Sequence, residues 1–176
     1  MNNITIQFNL GRPSIEGIKC NNFVALLSTW QVDFIMGAKL VSGLLFQPPA
    51  PTYDENLAGF VWLRTKTEAS IAAFYIDNSS KGAQFTLLFS HGNAEDLGLI
   101  HSWFTQFADV LNVNLLVYDY EGYGISTGNK THNEENEPNE QSCYDDIDAA
   151  YEYLSVIQNV STEHLIIYGR SLGSGT

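Results

Sequence analysis

Ser171 stands between Gly169 and Gly173 and follows the apolar run Leu165-Ile166-Ile167-Tyr168. A Gly-x-Ser-x-Gly stretch after such a run suits a strand that bends sharply into a helix and leaves the serine exposed at the bend. The two glycines let strand and helix backbones pass where side chains would collide, and the serine itself is held in a strained conformation. The chemistry this suits is attack of the serine hydroxyl on an acyl carbonyl, once a base activates it. The backbone N–H of Leu172, at the start of the following helix, faces the place where negative charge develops on the attacked oxygen. A second donor stands upstream. The run Gln84–Ser90 ends in His91-Gly92-Asn93, a turn whose Asn93 N–H can reach the same oxyanion.

The other chemically able residues read as structural. Only Leu172 to Thr176 follow Ser171, and they include neither a carboxylate nor a histidine. A serine on such a turn takes its acid and base later in the chain, an order that argues against His91 as general base and favours for it, with Gly92, the part of bracing the turn. Asp119 closes a strand and belongs to the glycine turn Asp119-Tyr120-Glu121-Gly122-Tyr123-Gly124. His101 lies on a helix face as a core or boundary residue, and His132 and His164 are loop residues. Cys143 is a small apolar filler. No group of His, Cys or carboxylates has metal-ligand spacing, and no cofactor is called for.

The elements that must position these turns follow from hydrophobic period. Val61–Thr65 and Ser70–Ile76 alternate around a polar turn and read as a hairpin. Gln84–Ser90 and Val113–Tyr118 are nearly continuous apolar runs of the kind buried on both faces of a parallel sheet, and Leu165–Tyr168 is the final strand, expected as an exposed edge. Helices over Glu95–Leu111 and Asp145–Ile157 join them. The order β-β-β-α-β-α-β predicts an α/β fold, with an antiparallel hairpin at one side and parallel strands after it. Ahead of this domain, residues 1–22 have no clear period. Phe23, Leu26, Leu27, Trp30, Phe34, Ala38, Val41 and Leu45 form one helical stripe, which packs on the domain or lies in a membrane interface. Asp33 and Lys39 break any spanning helix. The Pro-rich stretch Gln47–Pro51 ends that helix and makes a connector. The organisation is therefore 1–22 irregular, 23–58 helix and connector, and 59–176 the α/β domain.

Four stretches together resemble the α/β-hydrolase superfamily: Phe89 to Gly98, Tyr118 to Gly124, Asp146 to Tyr151 and Tyr168 to Gly173. More narrowly they are similar to the abhydrolase-domain-17 group of protein depalmitoylases, and Leu45–Tyr53 matches that group's entry segment. The resemblance implies hydrolysis of acyl thioesters on S-palmitoylated proteins at membranes. It gives Ser171 as nucleophile and the N–H groups of Asn93 and Leu172 as oxyanion hole. It also implies acylated proteins as partners, and peripheral membrane contact through residues 23–46. The chain departs from that group in three ways: no triad acid or histidine follows Ser171, Cys20 stands alone where the group carries clustered N-terminal cysteines, and the acidic loop Ser126–Asn139 is longer.

Charge narrows the partners. The net charge of -12 and the absence of a Lys/Arg cluster exclude nucleic acid. Ten of the twenty acidic residues lie between Asp119 and Glu152, where the loop among them is solvated surface. Two cysteines and no basic, apolar leader at Met1-Asn2-Asn3-Ile4 point to a reducing, cytoplasmic setting. Two expectations result. In one, the chain is the N-terminal part of a serine hydrolase whose acid and histidine lie beyond Thr176. In the other, it is a catalytically inactive binder or decoy. A related carboxylesterase or serine peptidase would use the same elbow.

Overall fold

Two apolar strands without a solvent-facing side chain set the middle of the sheet. In the computed structural model, which describes residues 45–127 and 138–176, these are β3 (Thr86–Ser90) and β4 (Asn114–Tyr118). Every residue of β3 is buried, as are the last four of β4, because helices cover both faces. The hairpin predicted at the start is present as β1 (Phe60–Arg64) and β2 (Ser70–Ile76). The sheet has five strands in the order β1-β2-β4-β3-β5, with β5 formed by Leu165–Gly169. β1 and β2 pair antiparallel, β2 joins β4 antiparallel, and β4, β3 and β5 are mutually parallel where they meet.

Side-chain alternation divides the core between the two faces. Leu87, Phe89, Leu115 and Val117 point to one side, where Leu97, Ile100, Phe104 and Ala108 of helix α1 (Leu97–Leu111) meet them. Leu88, Leu116 and Tyr118 point to the other, against Cys143, Ala149 and Ala150 of helix α2 (Glu140–Glu152) and Leu154 just beyond it. The spacing of the buried α1 residues is the helical period read from the sequence.

The helix ends differ from the sequence reading, and caps explain the difference. Asp96 caps α1, accepting from the Leu99 N–H at 3.0 Å, so the helix starts two residues later than Glu95. Helix α2 begins at Glu140 and not at Asp145, because Asn139 and Ser142 form a reciprocal capping box. Its expected last turn, Tyr153–Ile157, is wound wider as a π-turn.

The connector is fastened to the domain. Thr52 donates from its N–H and hydroxyl to the buried Asp96 carboxylate at 2.7 and 2.6 Å. Phe46 packs against the α2 side of the core. The rest of the predicted Phe23–Phe46 stripe, and residues 1–22, lie outside the described residues. Among the described residues strand β5 pairs with β3 alone, and its Ile167 is 60% exposed.

Candidate active site

Ser90 of β3 and Gly169 of β5 are paired neighbours in the parallel register, so the chain leaves both strands at the same end of the sheet. His91-Gly92-Asn93 follows one and Arg170-Ser171-Leu172 follows the other. Ligands gather at this carboxyl end in α/β sheets.

The elbow is built backbone against backbone. Arg170 is extended and donates its N–H to the Ser90 carbonyl at 3.1 Å. Ser171 then takes φ of +54°, the left-handed region that a non-glycine residue occupies at a cost of order 1–3 kcal/mol. A Cβ on Gly169 would come within 2.0 Å of the Gly173 carbonyl oxygen. One on Gly173 would come within 2.2 Å of the Ser90 carbonyl oxygen. Both positions therefore admit only glycine. Ser171 is exposed, and a short 3-10 turn, Ser171–Ser174, follows it where the sequence suggested an α-helix.

The opposing turn is held from beneath by polar side chains. His91 is wholly buried, with Nδ1 donating to the Gly92 carbonyl at 2.8 Å, since a carbonyl can only accept. Its Nε2 lies 2.9 Å from Asp119 Oδ1 without forming a hydrogen bond. Tyr120 donates its hydroxyl to the His91 carbonyl at 2.7 Å. Tyr53 donates to Asp119 Oδ2 at 2.5 Å, and burial together with the neighbouring carboxylate pushes its phenol far above the usual range. Asp119 thus belongs to the support of the turn. Both His91 nitrogens face the interior, away from the solvent that reaches Ser171.

Asn93 is fixed by its side chain. Oδ1 accepts from the Gln47 N–H at 2.9 Å, the Ala94 N–H at 3.1 Å and the Tyr123 hydroxyl at 2.7 Å, while Nδ2 donates to the Leu45 carbonyl at 2.6 Å. Burial lifts the Tyr123 hydroxyl to about 12, which keeps it a donor. Among the described residues, neither the backbone N–H of Asn93 nor that of Leu172 has an acceptor. Two rigid strand ends thus carry an exposed hydroxyl and two uncommitted donors.

Glu95 joins the two turns. Its Oε2 accepts from the Gly92 N–H at 2.9 Å, and its Oε1 pairs with Nη2 of Arg170. Burial pushes this carboxyl up, but the Arg170 and Gly92 hydrogen bonds and the Arg170 and His91 charges outweigh it and hold it below the usual range. Sequence reasoning missed Glu95 and Arg170, although an acid three residues after one glycine turn and a base beside the serine were visible as complementary charges. Tyr53 left no such signal, being 66 residues from its partner.

The remaining histidines are placed elsewhere. His101 is held at the Ala58 carbonyl at 2.9 Å and lies edge-on to Phe74. His164 precedes β5, at the opposite end from Ser171, against Phe85. His132 is outside the described residues. Cys143 is buried, and burial with the nearby Asp146 raises its thiol to about 12, which suits a filler and not a nucleophile. Among the described residues there is no group of side chains fit to hold a metal ion, and no helix is long and apolar enough to cross a membrane.

Comparison with known proteins adds kinship to this geometry. Alpha/beta hydrolase domain-containing protein 17B of Xenopus laevis is 35% identical over 161 residues, which cover 77% of this chain and 53% of that protein. The human 17B protein is 34% identical over the same span, and the Xenopus laevis 17C protein is 38% identical over 65% of this chain and 34% of its own. The chain thus spans about half the length, or less, of these curated relatives. Among solved structures, an esterase from Pyrococcus furiosus superposes with a TM-score of 0.53 at 19% identity, covering 74% of this chain and 48% of its own. An alpha-beta hydrolase from Vibrio vulnificus gives a TM-score of 0.53 at 19% identity over 94% of this chain and 54% of its own. No protein-family model matches the chain.

Proposed function

Because this chain belongs to the α/β-hydrolase superfamily and resembles the domain-containing protein 17 group within it, we propose that it carries the nucleophile and oxyanion hole of a serine hydrolase. The whole enzyme, in this reading, cleaves acyl thioesters on S-palmitoylated proteins. The observation that carries the reading is the pairing of a left-handed, exposed Ser171 with two N–H groups, at Asn93 and Leu172, that have no acceptor among the described residues.

The steps follow from that arrangement. A base takes the Ser171 proton while Oγ attacks the thioester carbon, and the carbonyl oxygen becomes an oxyanion that accepts from Asn93 and Leu172. Removing one such donor costs roughly a hundredfold or more in rate. Collapse breaks the carbon–sulfur bond, and the cysteine leaves as a thiol with the proton the base had taken. Water then attacks the acyl-serine, returning the hydroxyl and releasing the fatty acid. The base is assigned to a histidine after Ser171, oriented by a carboxylate that also follows it, as the chain order of this superfamily requires. The engagement of His91 with the Gly92 carbonyl, of His101 with the Ala58 carbonyl and of His164 with the Phe85 ring supports that reading. Thioester preference and peripheral membrane contact through residues 23–46 are supported by the resemblance alone.

A second reading, an inactive binder, draws on the same lack of a usable histidine among the described residues. Labelling with a fluorophosphonate decides between them. The 176-residue chain is expected to label no better than its Ser171→Ala variant, while the product of the complete reading frame labels at Ser171 and hydrolyses an S-palmitoyl peptide. Lack of Ser171-dependent labelling in that full product would leave the binder.

A further inference from the structure

The residue before Asn93 and the residue before Ser171 are bonded to one carboxylate. Gly92 donates its N–H to Glu95 Oε2 at 2.9 Å, and Arg170 brings Nη2 to Glu95 Oε1. Arg170 is itself fixed at its backbone by the Ser90 carbonyl, and its guanidinium lies 5.8 Å over the Phe89 ring. The bridge lies close over Gly92: a Cβ there would stand 3.2 Å from the Glu95 carboxylate and at ordinary contact distance, 3.6 Å, from Arg170 Nε. Glu95 also precedes Asp96, whose caps tie it to α1 and to Thr52, so the carboxylate hangs from a rigid base.

We propose that Glu95 and Arg170 are positioning residues that lock the two halves of the oxyanion hole in register, one carboxylate spanning from the Asn93 turn to the Ser171 elbow. The inference rests on the reading of the Asn93 and Leu172 N–H groups as the oxyanion donors. An oxyanion hole works only when both donors reach one point, and they are carried here by turns from two strands. Strand pairing ends at Ser90 and Gly169, and past it the Arg170 N–H and Gly173 anchor the elbow to the Ser90 carbonyl; among the described residues no backbone hydrogen bond joins the elbow to the Gly92–Ala94 turn itself, so a cross-link there needs side chains. The Glu95 bridge is that cross-link. Neither residue touches the reacting atoms; each acts through the backbone beside it.

The test uses the product of the complete reading frame. Hydrogen exchange of the Gly92–Ala94 and Ser171–Gly173 amides is followed relative to the amides of β3 and β4, in wild type, Glu95→Gln, Arg170→Gln and the double variant. Either single change is expected to speed exchange in both turns by roughly fivefold, with little further gain in the double variant. Arg170→Lys is expected to recover part of the loss. The kcat for thioester cleavage falls in parallel while KM holds. Acceleration confined to the mutated turn, or effects that add independently, would overturn the clamp. Loss of kcat that merely follows global unfolding of β3 and β4 would do so too. If the wild type shows no Ser171 labelling, the nucleophile reading fails and takes the catalytic purpose of the clamp with it. A labelled wild type with uncoupled exchange defeats the clamp alone.

Discussion

His91 Nε2 and Asp119 Oδ1 lie 2.9 Å apart with both side chains entirely enclosed by protein. Around them Tyr53, Tyr120 and Tyr123 close a polar knot beneath the Asn93 turn. Replacing His91 by alanine opens a void in this enclosed cluster and strips the Gly92 carbonyl of its donor, which together cost about 2–5 kcal/mol. His91→Ala is therefore expected to lower the urea midpoint strongly, or to prevent folding. A chemical role would instead show as lost activity at unchanged stability, so equilibrium unfolding separates the two.

Asp146 is another buried carboxyl, with Oδ2 accepting from the Glu121 N–H at 2.9 Å and Oδ1 unpartnered among the described residues. Burial, with the Glu121 and Asp145 charges, raises it from 3.8 to about 8 against the pull of that hydrogen bond. Between those values the folded chain keeps a proton that the unfolded chain has released. Its contribution to stability is thus present in full below about pH 4 and is lost as pH rises toward 8, at up to about 1.4 kcal/mol per pH unit. Asp146→Asn keeps the neutral form. Its stability relative to wild type should climb from about pH 5 to pH 8 and then level off, as read by thermal or urea unfolding across that range.

The elbow glycines give a steric prediction. Gly173→Ala places a methyl group against the fixed Ser90 carbonyl, and Gly169→Ala against the Gly173 carbonyl. Neither neighbour can rotate away. Each variant should lose several kcal/mol or fail to fold, whereas Gly82→Ala, which meets nothing within 4 Å, should pay only for its left-handed φ of +85°, about 1 kcal/mol. Thermal midpoints of the three variants check the order.

An unpaired apolar edge invites association. On β5, Ile166, Ile167 and Tyr168 are 38%, 60% and 41% exposed. The 176-residue chain, prepared by itself, is expected to self-associate with rising concentration, and Ile167→Lys to reduce that association. Sedimentation of both proteins over a concentration series is the measurement. Equal behaviour of the two would remove β5 as the cause.

Much of this architecture is legible in the order of the amino acids. The apolar runs ending at Ser90 and Tyr118 mark two parallel strands, because burial on both faces leaves no polar position, and the run ending at Tyr168 marks the third although its side chains are largely exposed. The glycines at 169 and 173 mark the elbow, because a close backbone crossing tolerates nothing larger. Hydrophobic period places the start of helix α2 at Asp145 and not at Glu140, since its cap is Asn139 with Ser142 and not the usual acid at the third position. The support of the site is hidden for a different reason. Tyr53 with Asp119, Thr52 with Asp96 and Glu95 with Arg170 are 66, 44 and 75 residues apart, and hydrophobic period carries no record of such polar pairs.

The sheet divides the apolar interior into two compartments that share no buried side chain, one facing α1 and one facing α2. Leu172 packs on the α2 side alone. For an engineer this makes the molecule two separate design problems. A combinatorial library over Leu97, Ile100, Phe104 and the sheet partners Leu87, Leu115 and Val117, with Phe89 beneath Arg170 kept, can be screened for robustness without redrawing the surface on which the elbow rests, and the gains from the two libraries should combine additively where the varied residues do not touch.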